Sequence, residues 1–414
     1  MKPEDLKPET LKEVTLSDIV AAEKQLRGFV LETPLKQSNY FSELFGKNIF
    51  FKMENLQHTG AFKVRGARNK LLSLTPEEKK RGVVTASAGN HAQGVAYQAK
   101  LLGVRATIVM PESAAMTKVL ATRGYGAQVI IKGATYDDAY QEALELQKEK
   151  KMVFVHAYED PSIIAGQGTI GLEILKQNPA VEVVIVPIGG GGLISGIATA
   201  LKSLKPGMRV IGVQATGASA MAESLKKGKP VAISEIKTMA EGIAVKRTSP
   251  YTFKYIQKYV DRIVSVTDEE ISAAILQLLE KTKTLVEGAG AVSLAALLFN
   301  RVDLKEKQIV CLLSGGNLDV TTLSHVIERG LVQEGRMVKL DITIDDKPGS
   351  LNHLTKVIAD MKASIMQVTH DRAVVSLPFG TTKVFMTLET RGPEHVQEIL
   401  KSLQSAGYHV SRVS

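Results

Sequence analysis

The sequence predicts an α/β protein built on parallel sheets, followed by a small C-terminal α+β unit of ferredoxin-like order. Three observations lead there. From about residue 49 to residue 330, short continuous apolar runs alternate with helical patterns. Continuous apolar runs suit strands buried on both faces, and repeated β-α-β order implies parallel sheets flanked by helices. Near residue 335 the pattern changes to strict alternation of apolar and polar residues, the mark of a strand with one solvated face. The length, 414 residues, exceeds one ordinary domain and allows two or three compact units.

The strand candidates of the larger part are Ile49 to Met53, Val83 to Ala86, Ala106 to Met110, Gln128 to Ile131, Met152 to Val155, Val181 to Pro187, Arg209 to Gln214, Arg262 to Val266 and Gln308 to Leu313. Helical patterns fill the gaps, as in Ala92 to Leu102, Tyr136 to Lys148 and Asp268 to Lys281. In the tail, Val338, Leu340, Ile342 and Ile344 alternate with polar residues along Met337 to Ile344. A turn at Asp345 to Gly349 leads into a helix from Ser350 to about Met361. Strands near Ser364 to Val375 and Thr382 to Leu388, a helix at Glu394 to Ser405 and a strand at Tyr408 to Val413 complete a β-α-β-β-α-β unit. The expected division is 1–333 and 336–414.

Composition excludes several function classes. Apolar residues are 44% and charged residues 23%, a soluble globular balance. The net charge of +9 is spread along the chain without an arginine-rich arm or basic helix, so no nucleic-acid partner is expected. The single cysteine, Cys311, rules out an internal disulfide and fits a reducing compartment. It sits in an apolar run and reads as a small core residue. Met1 to Glu13 is polar, with no apolar targeting segment, and no apolar run is long enough for a membrane span. A cytoplasmic protein without a membrane partner is expected.

Four motifs carry chemistry, each at a loop that follows a strand, where ligands bind in open α/β sheets. In Thr59-Gly60-Ala61-Phe62-Lys63-Val64-Arg65, Lys63 falls just inside a helix start. The helix dipole there disfavours a protonated lysine, so a neutral amine able to form a Schiff base is easier to obtain. Ser87-Ala88-Gly89-Asn90-His91 is a small turn ahead of a helix whose backbone N–H groups suit a carboxylate. Gly189-Gly190-Gly191-Gly192-Leu193 spends about 1 kcal/mol of chain entropy per glycine, more than a plain turn requires. The close approach of a phosphate at a helix N-terminus is the natural reason. In Ser314-Gly315-Gly316-Asn317, the serine hydroxyl can donate to a ring nitrogen. Together these form an amine, an anion turn, a phosphate cradle and a hydroxyl donor.

In the order and spacing of these motifs, residues 15 to 330 resemble the threonine ammonia-lyases (threonine dehydratases or deaminases) of the tryptophan-synthase-β-like class of pyridoxal-phosphate enzymes. The tail resembles an ACT domain, an amino-acid-binding regulatory module. The resemblance implies a two-lobed catalytic domain with a smaller lobe at about 50–157, and pyridoxal 5'-phosphate as cofactor. Lys63 would join the cofactor aldehyde and take the α-proton of an amino-acid substrate. Phe62 would pack beside the cofactor ring and Asn90 would donate to its phenolic oxygen. The backbone of Gly189, Gly190, Gly191, Gly192 and Leu193 would hold the phosphate, with Gly242 lining the ring and Ser314 facing the pyridine nitrogen. Ser87, Ala88, Gly89, Asn90 and His91 would hold the substrate carboxylate. An effector amino acid is expected at Pro348, Gly349, Ser350 and Leu351, and a homodimer or homotetramer is expected.

The sequence departs from related enzymes at useful points. Serine-racemase-like members carry a second serine where Ala88 stands, as the base on the opposite face, so Ala88 argues against racemisation. Gln214 to Ala220 contains no acidic residue to hold the divalent metal of racemase-type members, and no metal is expected. A serine racemase or serine dehydratase remains the alternative reading.

Overall fold

The structure is a computed structural model, and it describes residues 11–372 and 377–413. The first ten residues, where no targeting segment was expected, lie outside that range. So do residues 373–375, the end of the strand expected at Ser364 to Val375. The chain divides into two compact units, residues 1–319 and 320–414. The helix Val320–Gln333 therefore falls in the second unit, although the sequence places the boundary at 333–336.

The first unit holds two sheets. The larger has six strands: β1 (Leu35–Gln37), β2 (Asn48–Met53), β7 (Val183–Pro187), β8 (Arg209–Ala215), β9 (Arg262–Val266) and β10 (Gln308–Leu313), in the order β1-β2-β10-β7-β8-β9. All neighbours are parallel except β1, which pairs antiparallel with β2. The smaller sheet is wholly parallel. It contains β3 (Val83–Ala86), β4 (Ala106–Met110), β5 (Gln128–Ile131) and β6 (Val153–Phe154), in the order β5-β4-β3-β6. A lobe boundary near residue 50 would assign β2 to the smaller lobe. Instead β2 pairs with β10 over six residues, from Asn48 opposite Gln308 to Met53 opposite Leu313. Order along the chain does not determine which sheet receives a strand, and the smaller sheet starts only at Val83.

The inner strands are buried as their sequence requires, whereas β5, at the edge of the smaller sheet, is exposed at Gln128 and Ile131. β3, β4 and β7 are buried at every position. The large-lobe core packs Ile170 and Ile174 of the helix Pro161–Gln177 and Ile194, Ile197 and Leu201 of the helix Gly192–Leu204 against Val184, Val186, Val310 and Leu312. A separate cluster joins Leu71, Val95, Ala99, Ile108 and Met110 in the smaller lobe. The helix Lys63–Leu72 meets the helix Pro161–Gln177 at a crossing so close that a Cβ on Gly166 would lie 2.7 Å from Gly66 Cα. Cys311 is fully buried, and burial pushes its thiol far up from the ordinary range. None of the described helices is long and apolar enough to cross a membrane.

The second unit has the strands β11 (Met337–Asp345), β12 (Ser364–Asp371), β13 (Thr381–Glu389) and β14 (His409–Arg412), all antiparallel, in the order β12-β13-β11-β14. That is the ferredoxin-like order, with the helices Ser350–Asp360 and Pro393–Ser405 contributing Leu354, Ile358, Val396 and Ile399 to one core.

Candidate active site

The four motifs of the first unit lie together. Lys63 is the first residue of its helix, with no side-chain cap ahead of it. Its ammonium nitrogen donates to Ala157 O at 3.0 Å and lies 5.2 Å from the centroid of the Phe62 ring. Burial draws the amine down to about 8, against a smaller upward pull from Glu287. Next to it, Phe62 N donates to Ser314 O at 3.2 Å, and Ala61 bridges Gly315. The first and fourth motifs are thus stitched together by backbone. Ser314 is buried, and among the described residues its hydroxyl makes only a long 3.4 Å contact with Ala289 O, which a stronger acceptor could replace.

The glycine run is explained differently from the sequence expectation. The open Cβ positions are taken up by the protein itself. A Cβ on Gly190 would lie 2.3 Å from the Tyr158 ring, one on Gly192 would lie 2.8 Å from Tyr158 O, and one on Gly189 would lie 2.9 Å from Ile243 Cα. Gly191, with φ +91, is the N-cap of the helix Gly192–Leu204 and provides no side-chain cap. The helix N–H groups are therefore left to an outside acceptor, as an anion site requires. Thr252 fastens the loop from behind by donating to Gly190 O at 2.8 Å. The cradle, the uncapped N-terminus, the loosely engaged Ser314 hydroxyl and the buried amine fit a phosphate-bearing aldehyde cofactor.

In the second motif Gly89 is the N-cap of the helix Asn90–Leu101, and it too provides no side-chain cap. Ser87 Oγ accepts from Gly89 N at 3.2 Å. His91 is buried, with Nε2 2.9 Å from Val155 O; burial first, then Lys63, pull its imidazole down to about 3, so it is neutral. Burial likewise brings His156 down to about 4, and its ring stands edge-on to Tyr158 at 4.6 Å between centroids. Gly242 faces Asn90, since a Cβ there would lie 3.9 Å from Asn90 Nδ2. The effector candidates Pro348 to Leu351 lie in the second unit, where Gly349 (φ +91) caps the helix Ser350–Asp360 without a side-chain bond.

Sequence reasoning missed Glu287. It accepts from Asn90 Nδ2 at 2.6 Å through Oε1, and it is the N-cap of the helix Gly288–Leu298. Burial pushes its carboxyl up to about 7; the Asn90 bond and Lys118 oppose this, Glu241 adds to it, and Lys63 opposes it. An acid beside the small-residue run Gly288 to Ala291 was the available signal. Sequence reasoning also left Asn317 without a role, though Nδ2 donates to Thr59 O at 2.6 Å and to Asn90 Oδ1 at 2.7 Å. Thr59 is left-handed (φ 61), which for a β-branched residue stores strain of order 1–3 kcal/mol at this site.

The raised Glu287 carboxyl has a pH consequence. Between the ordinary 4.5 and about 7 the folded chain keeps a proton that the unfolded chain has released, so stability falls as pH rises through that window. Glu287→Gln removes the loss. In urea unfolding without cofactor, the variant should gain on the parent by up to about 3 kcal/mol at about pH 8, with the gain shrinking toward about pH 4.5. A difference independent of pH would contradict this account.

Comparison with known proteins agrees with this geometry. Residues 26–315 match the family model of pyridoxal-phosphate-dependent enzymes, and residues 333–411 match an ACT domain. The chain belongs to the pyridoxal-phosphate-dependent enzyme family. It is 53% identical over 392 residues to an L-threonine ammonia-lyase of Geobacter sulfurreducens, covering 95% of this chain and 98% of that one. A threonine deaminase structure from Solanum lycopersicum is 39% identical with a TM-score of 0.71, over 76% of this chain and 92% of that one. Maize serine racemase is 35% identical with a TM-score of 0.73, over 78% of this chain and 100% of that one. Family members that act as racemases thus share the fold, and fold alone does not choose between the two activities.

Proposed function

We propose that this chain is a threonine ammonia-lyase that converts L-threonine to 2-oxobutanoate and ammonia, and L-serine to pyruvate. The observation that carries the reading is the buried Lys63 amine, drawn down to about 8, beside two uncapped helix N-termini and the neutral donor Ser314. Bound pyridoxal phosphate supplies a conjugated ring that accepts the electron pair left when the α-proton is removed. The protein does the rest. Gly189 to Leu193 hold the phosphate and Gly242 lines the ring. The turn Ser87 to His91 orients the substrate carboxylate by backbone N–H groups. Lys63 moves the α-proton at Nζ, near neutral pH because its amine is desolvated. Ser314 donates to the ring nitrogen without adding charge, which favours loss of the β-hydroxyl. Ala88 brings no base to the opposite face, which favours elimination over racemisation.

An amino acid bound at Pro348 to Leu351 would regulate the enzyme through the C-terminal domain, and assembly as a homodimer or homotetramer accompanies that role. The deciding assay supplies L-threonine and L-serine and measures 2-oxo acid release and D-amino acid formation, with and without branched-chain amino acids. Release of 2-oxobutanoate with little D-isomer is expected. D-serine as the main product would instead favour the racemase reading.

A further inference from the structure

We infer that Asn317 and Glu287 are positioning residues for Asn90: they determine which end of its side-chain amide faces the bound cofactor. This rests on the reading above, in which Asn90 donates to the cofactor's phenolic oxygen.

Thr59 O can only accept, and Asn317 Nδ2 lies 2.6 Å from it. The nitrogen end of the Asn317 amide is therefore fixed. The same nitrogen lies 2.7 Å from Asn90 Oδ1, so Asn90 must present oxygen on that side. An amide that presents oxygen at one end presents its NH2 at the other, and Asn90 Nδ2 meets Glu287 Oε1 at 2.6 Å. Only one of its two N–H groups is used there. The second has no partner among the described residues and is the one offered to an acceptor at this site. The whole chain thus has one polarity, running from Thr59 through Asn317 and Asn90 to Glu287.

Both ends are held rigidly. Gly60 (φ +70) brings the turn so close that a Cβ there would lie 2.4 Å from Asn317 Oδ1. At the far end, Glu287 N donates to Gly315 O at 3.0 Å, and a Cβ on Gly315 would lie 2.3 Å from Glu287 Oε1. A π-helical turn, Leu278–Thr282, shortly precedes this residue, a distortion frequent at functional sites. Asn317 and Glu287 thus join three of the four motifs, across separations of 227 and 197 residues along the chain from Asn90. If the amide turned over, its oxygen would face the phenolic oxygen and raise that atom's affinity for a proton.

The test uses the full chain loaded with pyridoxal phosphate and follows the pH midpoint of its visible absorption band. Asn317→Asp replaces the donor by an acceptor in the same space, and Glu287→Ala removes the far anchor. Both should raise the midpoint by about one pH unit, the scale of one lost hydrogen bond to a charged atom, and lower kcat for threonine about tenfold with little change in KM. Glu287→Gln removes the same charge but still accepts through its amide oxygen, so the midpoint of Glu287→Ala should lie about one pH unit above that of Glu287→Gln. Should Asn317→Asp fail to fold, the Glu287→Ala and Glu287→Gln pair decides alone. Parental midpoints in folded, loaded Asn317→Asp and Glu287→Ala would overturn the inference while leaving the cofactor reading intact. Absence of any visible band in the parent would overturn the cofactor reading, and this inference with it.

Discussion

Lys63→Ala is expected to lower 2-oxobutanoate release from threonine by roughly 10⁴ or more and to abolish the visible band of the bound cofactor. The size of the effect follows from how this amine is made. It opens a helix whose dipole opposes a positive charge, and it is buried, so its neutral form is reachable near physiological pH. Among the described residues, the lysines Lys52, Lys70 and Lys118 are each engaged elsewhere. Lys52 is held by Glu173 at 2.5 Å, Lys70 by Asp160 at 2.6 Å, and Lys118 by Glu241. Lys63→Arg sharpens the test, because it keeps length and charge but cannot lose its proton. It should be as inactive as the alanine variant. Activity within about tenfold of the parent, or a surviving band, in either variant would show that the reactive amine lies elsewhere.

Much of this site was legible because its residues sit where a regular pattern breaks. β3, β4, β5, β9 and β10 have the bounds expected from the sequence, because each apolar run is closed by proline or a polar residue: Ser87, Pro111, Lys132, Thr267 and Ser314. The four motifs stand at the ends of such runs. β1 was not legible: three residues, Leu35 to Gln37, are too few to show a period, and only the pairing with β2 makes them a strand. Glu287 and Asn317 were missed because their importance lies in contacts across the chain. The reason for the glycine loop was legible only in part, because Tyr158 and Ile243, which fill its missing side-chain positions, lie far from it in sequence.

The second large effect concerns stability. Arg65 is fully buried two residues after Lys63, a step of about 200° around the helix, so it anchors the back of the helix whose front presents the amine. Its guanidinium forks onto Glu54 at 2.8 Å through Nε and through Nη2, and onto Glu173 at 2.6 Å through Nη1 and 3.0 Å through Nη2. Further bonds run to Thr169 Oγ1 at 3.2 Å and Leu31 O at 3.0 Å, and Lys52 adds a second cation on Glu173. Two cations and two carboxylates balance. Burial alone would drive the Glu54 carboxyl up; Arg65 foremost, with Lys52 and the Thr33 hydroxyl, together outweigh it and hold the group below its ordinary range. Arg65→Ala leaves two buried carboxylates facing one lysine and empties a large space. A loss of roughly 3–5 kcal/mol in denaturant unfolding is expected, because breaking a buried pair leaves an uncompensated charge. The exposed pair Lys226 and Glu223 provides the contrast: it is as short, at 2.9 Å, yet its side chains are 73% and 36% exposed, so solvent screens it and its removal should leave the unfolding midpoint almost unchanged. A loss below about 1 kcal/mol for Arg65→Ala would mean that water reaches these carboxylates and that the network does not anchor the Lys63 helix.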